Sequence, residues 1–226
     1  MPDDTNGETT LRVDEASERG VFLREFLRTP FQVGAVAPSS RRLAAAMVEP
    51  VPRAGGPVVV ELGPGTGAVT HHIGARLAGR GRQLAVELNP VLAAQLGRQH
   101  PDLEVIQADA QQLPTLLQGR GVAEVDVVVS GLPWAGFDSV TQQAVLGAVC
   151  TVMAADGVFV TFGYGLSRWT RPARRFRQLL RREFDEVVIG QMVMCNLPPA
   201  FVYYARRPAC KIGTPTLSPA AQAPFN

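Results

Sequence analysis

The sequence has little of what disulfide frameworks, metal centres and membrane spans require. Among 226 residues there are three cysteines and three histidines, and the cysteines lie far apart without Cys-x-x-Cys spacing. This pattern excludes a disulfide framework and predicts no metal site. No apolar run approaches the roughly 18 residues of a membrane-spanning helix. The first residues, MPDDTNGETT, lack the basic and apolar regions of a secretory signal. We therefore expect a cytoplasmic protein that meets a membrane, if at all, as a peripheral protein at its inner surface.

Lysine is almost absent, because Lys211 is the only one among 22 basic residues. With 20 acidic residues the formal net charge is +2, which does not by itself indicate a nucleic-acid-binding protein. The composition is 46% hydrophobic and 19% charged, as is typical of a globular chain. A chain of this length predicts one domain with at most a small addition.

The changes in composition along the chain predict four segments. Residues 1–16 are polar and acidic, and residues 208–226 are rich in proline, alanine, serine and threonine, so both are expected to be disordered tails. Residues 17–48 read as a helical cap. Residues 49–207 read as the main domain.

Short apolar runs alternate with helical patterns in the main domain. Five predicted strands cover residues 58–62, 83–88, 103–107, 125–130 and 157–162, and helices are predicted at 39–48, 68–79, 90–99, 111–119, 139–154 and 172–182. Such an order predicts an α/β protein whose largely parallel sheet carries helices on both faces. Two further runs, near 186–194 and 201–205, are expected to pair antiparallel at the edge of the sheet. Met192, Met194 and Cys195 follow a strand pattern at the end of the first run and are expected in the core.

The sharpest local signal is Glu-Leu-Gly-Pro-Gly-Thr-Gly at residues 61–67, directly after the first predicted strand. Gly63, Gly65 and Gly67 permit a tight turn and the close approach of a ligand to the backbone. A glycine-rich loop alone is weak evidence, and a plain structural turn is the competing interpretation.

Acidic residues follow the next two predicted strands. Glu87 ends the second strand, twenty residues after Gly67, where a carboxylate can meet a ribose diol. Asp109, followed by Ala110, comes after the third strand and is placed to meet an adenine amine. Together these positions predict a nucleoside-binding crevice, which either a nicotinamide cofactor or S-adenosylmethionine would suit.

The form of these motifs resembles the S-adenosylmethionine-dependent methyltransferases rather than the dehydrogenases, because Glu61 precedes a Gly-x-Gly-x-Gly loop. The resemblance implies the Rossmann-like class I methyltransferase fold, with a mostly parallel seven-stranded sheet that ends in an antiparallel hairpin. It also implies roles for Glu61 and the glycines toward the methionine part, for Glu87 toward the ribose, and for Asp109 and Ala110 toward the adenine.

A closer resemblance covers residues 20–207. The segments FQVGAVAPSS at 31–40, VELNP at 86–90, SGLP at 130–133 and NLPPA at 196–200 are similar to those of the bacterial phospholipid N-methyltransferases, which methylate phosphatidylethanolamine. The related rRNA adenine dimethyltransferases share the cofactor motifs. They carry an Asn-Leu-Pro-Tyr-type motif where this chain has Ser-Gly-Leu-Pro-Trp. The difference makes a nucleic-acid substrate less favoured.

The resemblance also implies the acceptor site. A tyrosine follows the fifth strand in the phospholipid family, and Tyr164 holds the matching place; we expect it to orient the acceptor nitrogen or assist removal of its proton. The carbonyls from Ser130 to Leu132 are predicted proton acceptors, and Ser130 is also predicted to contact the cofactor. Trp134 is predicted to hold an alkylammonium against its ring face. Phe31 is the third predicted acceptor-binding residue, with Tyr164 and Trp134.

Two basic stretches suit a lipid surface. Residues 17–29 place phenylalanines and leucines on one helical face among arginines, which fits either a peripheral membrane helix or a helix that covers the cofactor pocket. Residues 168–182 contain seven arginines, which fit a solvated helix face, a site for lipid phosphate or an anionic membrane, or RNA phosphate.

The sequence therefore predicts methyl transfer from S-adenosylmethionine to an amine nitrogen, with the phosphatidylethanolamine headgroup as the expected acceptor. A small-molecule methyltransferase and a repurposed enzyme without methyl transfer are the alternatives that remain open. An RNA adenine methyltransferase is the third alternative, and nucleic acid is the less favoured partner.

Overall fold

The fold is built on a seven-stranded sheet with the strand order β3-β2-β1-β4-β5-β7-β6. The computed structural model describes residues 39–211. The strands are β1 (Val58–Leu62), β2 (Arg82–Glu87), β3 (Glu104–Gln107), β4 (Val125–Ser130), β5 (Met153–Tyr164), β6 (Phe184–Ile189) and β7 (Ala200–Pro208). The first five strands pair in parallel, and β7 lies antiparallel between β5 and β6. This order confirms the predicted seven-stranded sheet with its antiparallel C-terminal hairpin.

Within residues 39–211, six helices connect and cover these strands. They are α1 (Arg41–Met47), α2 (Thr70–Leu77), α3 (Pro90–Gln99), α4 (Leu113–Gln118), α5 (Ser139–Val152) and α6 (Arg171–Glu183). Their starts follow ordinary capping chemistry. The Ser40 hydroxyl accepts the Leu43 N–H at the start of α1, and Asn89 caps α3, where Pro90 takes the first position.

The core lies on both sides of the sheet. On one face α1 and α2 pack against β1, β4 and β7 in a cluster that includes Leu43, Met47 and Ile73. On the other face α4, α5 and α6 pack in a larger cluster that includes Leu113, Leu146 and Leu180. The central strands are therefore buried on both faces, which explains their nearly continuous apolar sequence.

Some predicted boundaries differ from the structure. The strand predicted at 186–194 covers only 184–189, because Gly190 begins a loop that runs to Pro199. Met194 and Cys195 lie exposed in this loop and not in the core, which corrects the expectation for them, while Met192 is half-buried. The ordered fold also passes the expected boundary at 207, because β7 ends at Pro208 and a short turn follows to Lys211.

Several expectations lie outside the described residues: the tail at 1–16, the helix at 17–29, Phe31, and the chain after Lys211. Within residues 39–211, no helix is long and apolar enough to span a bilayer.

Candidate active site

The glycine loop after β1 adopts a conformation that side chains would disrupt. Gly63, Gly65 and Gly67 all have positive φ angles, of 65°, 57° and 84°. A Cβ on Gly63 would lie 2.7 Å from Leu132 Cδ2, and one on Gly67 would lie 2.9 Å from Leu96 Cδ1. At Gly65 the space is open, with no heavy atom within 4 Å of the Cβ position. The loop is thus packed at both ends and accessible in the middle.

Glu61 is a buried carboxyl beneath this loop. It is the fourth residue of β1, and its Oε2 accepts a hydrogen bond from Thr70 Oγ1 at 2.7 Å. Burial raises the pKa of Glu61 from 4.5 to about 7, although the Thr70 hydrogen bond opposes the rise and the nearby Glu87 adds to it. A cation that approached Glu61 would favour its ionised form.

Glu87 ties the end of β2 to the glycine loop. Its Oε2 accepts the Gly65 N–H at 3.1 Å, and its Oε1 accepts the Asn89 N–H at 2.9 Å. Burial raises the pKa of Glu87, while the hydrogen bonds from these backbone groups oppose the rise. The carboxylate therefore holds the accessible part of the loop from the neighbouring strand.

A narrow slot opens beside Glu87 at the carboxyl edge of the sheet. Its lining is Gly63, Val86, Glu87, Leu88, Ala108, Asp109, Ala110, Leu132, Phe137, Thr141 and Val145. Most of this wall is apolar, which suits a flat heterocycle, and two carboxylates lie on it. Half-buried Asp109 accepts the Gln111 N–H through Oδ1, which fixes the side chain at the start of a short turn. The set fits a nucleoside, with an acid for ribose hydroxyls and an acid for an adenine amine.

The loop after β4 closes the other side of the slot. A Cβ on Gly131 would lie 2.6 Å from the Gly63 carbonyl oxygen, so the two loops touch backbone to backbone. Leu132 covers Gly63 and contributes to the lining. These contacts explain why the segment at 130–133 carries glycine at its second position.

Of the predicted proton acceptors, Ser130 is withdrawn from the crevice, while the Leu132 carbonyl stays a prediction. Ser130 is fully buried, and its carbonyl accepts the Thr161 hydroxyl at 3.0 Å. The Leu132 carbonyl accepts the Trp134 N–H at 3.0 Å. The structure corrects the expectation for Ser130, whose hydroxyl and carbonyl are both engaged inside the core. A carbonyl oxygen has two lone pairs, so the bond from Trp134 leaves the prediction for Leu132 open.

Trp134 is in the core and not in the crevice. Its ring is 2% exposed, lies stacked on Phe176 at 4.5 Å between centroids, and meets Phe137 and Phe159 edge-on. Its Nε1 donates to Ser130 Oγ at 3.0 Å. The expectation that Trp134 holds an ammonium is corrected, since a cation needs access to a ring face. Its visible role is to position Ser130 and the loop.

Tyr164 ends β5 at the same edge of the sheet. Its half-buried ring meets Phe162 edge-on at 5.5 Å and packs with the cluster beneath α1 and α2. The slot is lined largely by residues of the cluster on the opposite face, so Tyr164 shares the carboxyl edge of the sheet with the slot but does not line it. Burial raises the pKa of Tyr164, which keeps the phenol neutral at physiological pH.

Sequence reasoning missed several residues at the site. Thr70 bonds to Glu61, Thr161 bonds to Ser130, and Phe137 and Thr141 line the slot. The position of Thr70 in the first turn after the glycine loop is a usable signal. The positions of the other residues depend on strand register and on the path of the loop after β4, and no local sequence signal indicates either.

A scan against models of known protein families finds no match. An ornithine lipid N-methyltransferase from Singulisphaera acidiphila is 33% identical over 189 residues, which are 82% of this chain and 94% of that protein. The chain belongs to this methyltransferase family. The shared length includes the glycine loop and the slot, and the chain is an S-adenosylmethionine-dependent methyltransferase.

Two other comparisons agree with this fold. A ribosomal RNA small subunit methyltransferase A from Koribacter versatilis is 45% identical over 67 residues, only 27% of this chain and 22% of that protein. The crystal structure of an O-methyltransferase from Bacillus cereus in complex with SAH has a TM-score of 0.59 at 14% identity, covering 84% of this chain and 91% of that one. At that identity the structure supports the class I methyltransferase fold.

Proposed function

We propose that this methyltransferase methylates the primary amine of a membrane lipid. The observation that carries the proposal is the 33% identity to an ornithine lipid N-methyltransferase across nearly the whole of that enzyme. Phosphatidylethanolamine and an ornithine lipid both present a primary ammonium near a polar lipid headgroup. The class of acceptor that we propose is therefore a lipid amine, with phosphatidylethanolamine as the candidate that the sequence motifs favour.

The residues of the crevice fit S-adenosylmethionine. When bound, it supplies a methyl group on a sulfonium, which is already a strong electrophile. We assign the adenine to the apolar slot with Asp109, the ribose hydroxyls to Glu87, and the methionine ammonium to Glu61. The pairing of that ammonium with Glu61 would offset the burial that raises the carboxyl pKa.

The protein's remaining task is to present a neutral amine in line with the methyl group and to keep water out. A lipid ammonium has no lone pair, so one proton must pass to bulk water before the nitrogen can attack. Tyr164 is the best-placed side chain to receive the amine, because it lies at the same sheet edge and has a neutral phenol. We assign it to positioning, as an acceptor of an amine N–H, since a phenol with a raised pKa is a poor base at neutral pH.

The decisive experiment uses methyl-labelled S-adenosylmethionine with four acceptors in mixed micelles: phosphatidylethanolamine, an ornithine lipid, phosphatidylcholine, and free ethanolamine. We expect label in the organic phase with at least one of the first two. Phosphatidylcholine has no methylatable amine and is the matched negative control. Label in free ethanolamine alone would replace the lipid proposal with a small-molecule one, and no label despite cofactor binding would refute amine methylation.

A further inference from the structure

Four large apolar side chains protrude into solvent at one place on this protein. Leu166 and Trp169 are 84% and 71% exposed in the turn Gly165–Trp169, and Met194 and Leu197 are 72% and 71% exposed in the loop at 190–199. Single exposed apolar residues need no explanation, but four of this size on adjoining segments do.

The two segments are in contact. The Gly165 N–H donates to the Pro199 carbonyl at 2.8 Å, and a Cβ on Gly165 would lie 3.1 Å from Met192 Cε. Tyr164 is opposite Ala200 in the β5–β7 pair, so both segments lie at the carboxyl edge of β5. This is the edge at which the cofactor slot opens and where Tyr164 would receive the acceptor.

Arginines surround this apolar group. The Arg168 guanidinium lies over the Trp169 ring at 4.8 Å, and Arg171, Arg174 and Arg175 are exposed in the first turns of α6. Burial raises the pKa of Tyr203, while the cations of Arg177, Arg168 and Arg181 oppose the rise, so these three arginines lie within electrostatic range of one tyrosine.

The surface has no acidic residue in the segments that form it. The sequence carries neither aspartate nor glutamate from 157 to 182 or from 187 to 211. Arginine interspersed with tryptophan, leucine and methionine is the composition of a surface that enters the interfacial region of an anionic bilayer. RNA phosphate would account for the arginines but would leave Leu166, Met194 and Leu197 unexplained.

We propose that the turn 165–169, the loop 190–199 and the start of α6 form a docking surface for an anionic lipid bilayer. The apolar side chains enter the headgroup region and the arginines meet lipid phosphates. This inference deepens the proposed function, since it brings the mouth of the active site against the membrane that holds the acceptor.

Trp169 offers a direct test because the other tryptophan, Trp134, is buried. We would add the full chain to phosphatidylglycerol vesicles whose acyl chains are brominated, and separately to brominated phosphatidylcholine vesicles. We expect a blue shift and quenching of fluorescence with the first and little change with the second. Replacing Trp169 by Phe should abolish the response. A native chain that binds anionic vesicles without any change in Trp169 fluorescence would overturn the proposal.

Vesicle sedimentation tests the other residues. We expect Leu166→Ser with Leu197→Ser, and separately Arg171→Gln with Arg174→Gln, to weaken binding to anionic vesicles at least about 10-fold. The matched controls are Val91→Ser with Val140→Ser, which are exposed apolar residues outside the surface, and Arg206→Gln with Arg207→Gln near the far end of β7. The controls should bind as the native chain does. Unchanged binding by both surface variants would overturn the proposal, as would a loss of RNA binding in the arginine pair with no loss of vesicle binding.

The docking surface and the proposed function fail in distinguishable ways. The vesicles contain no amine acceptor, so binding is measured without catalysis. If the surface variants lose vesicle binding but methylate lipid amines in micelles as the native chain does, both proposals stand. If the native chain binds anionic vesicles but transfers no label to a lipid amine, the docking surface is supported and the proposed function is refuted.

Discussion

The side-chain Oδ1 of Asn196 accepts a hydrogen bond from the backbone N–H of Ser40 at 2.9 Å, across 156 residues of sequence. Asn196 is buried, and its amide also donates to the Pro198 carbonyl at 2.7 Å. One side chain thus joins the start of α1 to the loop before β7. It connects two of the sequence segments that the phospholipid methyltransferases share with this chain.

Replacing Asn196 by Ala should lower the free energy of unfolding by about 1–3 kcal/mol. The change leaves the partly buried Ser40 N–H and Pro198 carbonyl without their partner. Urea unfolding monitored by circular dichroism measures the effect. Replacing Gln178 by Ala removes an exposed amide from α6 and should change stability by less than about 0.5 kcal/mol. Equal stability of the two variants would contradict the structural role of Asn196.

Replacing Glu61 by Gln should change how stability depends on pH. Because burial raises the folded-state pKa of Glu61 to about 7 from 4.5, the folded chain binds this proton more tightly than the unfolded chain does. The native chain therefore loses stability as pH rises from about 4.5 to about 7, and the Gln variant lacks this loss. Between pH 4 and pH 8 the variant should gain about 3 kcal/mol relative to the native chain.

Urea unfolding of both chains across that pH range measures the difference. Replacing Asp102, an exposed carboxyl, by Asn is the control, because it removes one acidic group from the surface and leaves Glu61 in place. Parallel profiles for native chain and Glu61→Gln would show that the buried carboxyl does not titrate as the structure implies.

Replacing Glu87 by Ala should weaken S-adenosylmethionine binding by about 10- to 100-fold. The variant loses the proposed ribose acceptor and the hydrogen bond that holds Gly65 in place. Isothermal titration with S-adenosylhomocysteine measures the affinity, and Asp102→Asn serves again as a charge-matched control. Native affinity in the alanine variant would rule out the ribose assignment.

Replacing Tyr164 by Phe should lower kcat for a lipid amine by about 10- to 100-fold while leaving cofactor affinity unchanged. The ring and its contact with Phe162 remain, but the oxygen that would accept an amine N–H is gone. Label transfer at several acceptor concentrations, with cofactor titration alongside, separates the two effects. Phe162→Leu changes the packing around Tyr164 and keeps the hydroxyl, so it is the matched control. Equal losses in both variants would show that Tyr164 acts only through packing.

Much of the framework is readable from sequence because it depends on local chemistry. The strands at 58–62 and 125–130 and the helix at 90–99 match their predicted bounds, since each couples a continuous apolar or periodic pattern to a clear start signal. A tight loop could be predicted at Gly63, Gly65 and Gly67, because glycine adopts positive φ angles more readily than other residues. Glu61, Glu87 and Asp109 could be placed at one edge of the sheet, because the carboxyl ends of neighbouring parallel strands lie at the same edge.

The errors lie where long-range packing overrides a local pattern. Trp134 follows a motif at the active site, yet the aromatic cluster with Phe176 withdraws it from the crevice. Met194 alternates like a strand residue, but Gly190 ends β6 first and leaves it on an exposed loop.

The sequence by itself determined the alternation of strands and helices, the glycine loop, and the acids at the ends of neighbouring strands, because these depend on spacing and backbone conformation within short segments. Only the tertiary structure decided that Trp134 and Thr161 bond to the buried Ser130, and that Asn196 bonds to Ser40. It also decided that the segment with Leu166 and Trp169 lies beside the loop with Met194 and Leu197. These outcomes depend on which residues the strand register and the β5–β7 pairing bring together, and residues distant in the chain carry no mark of that proximity.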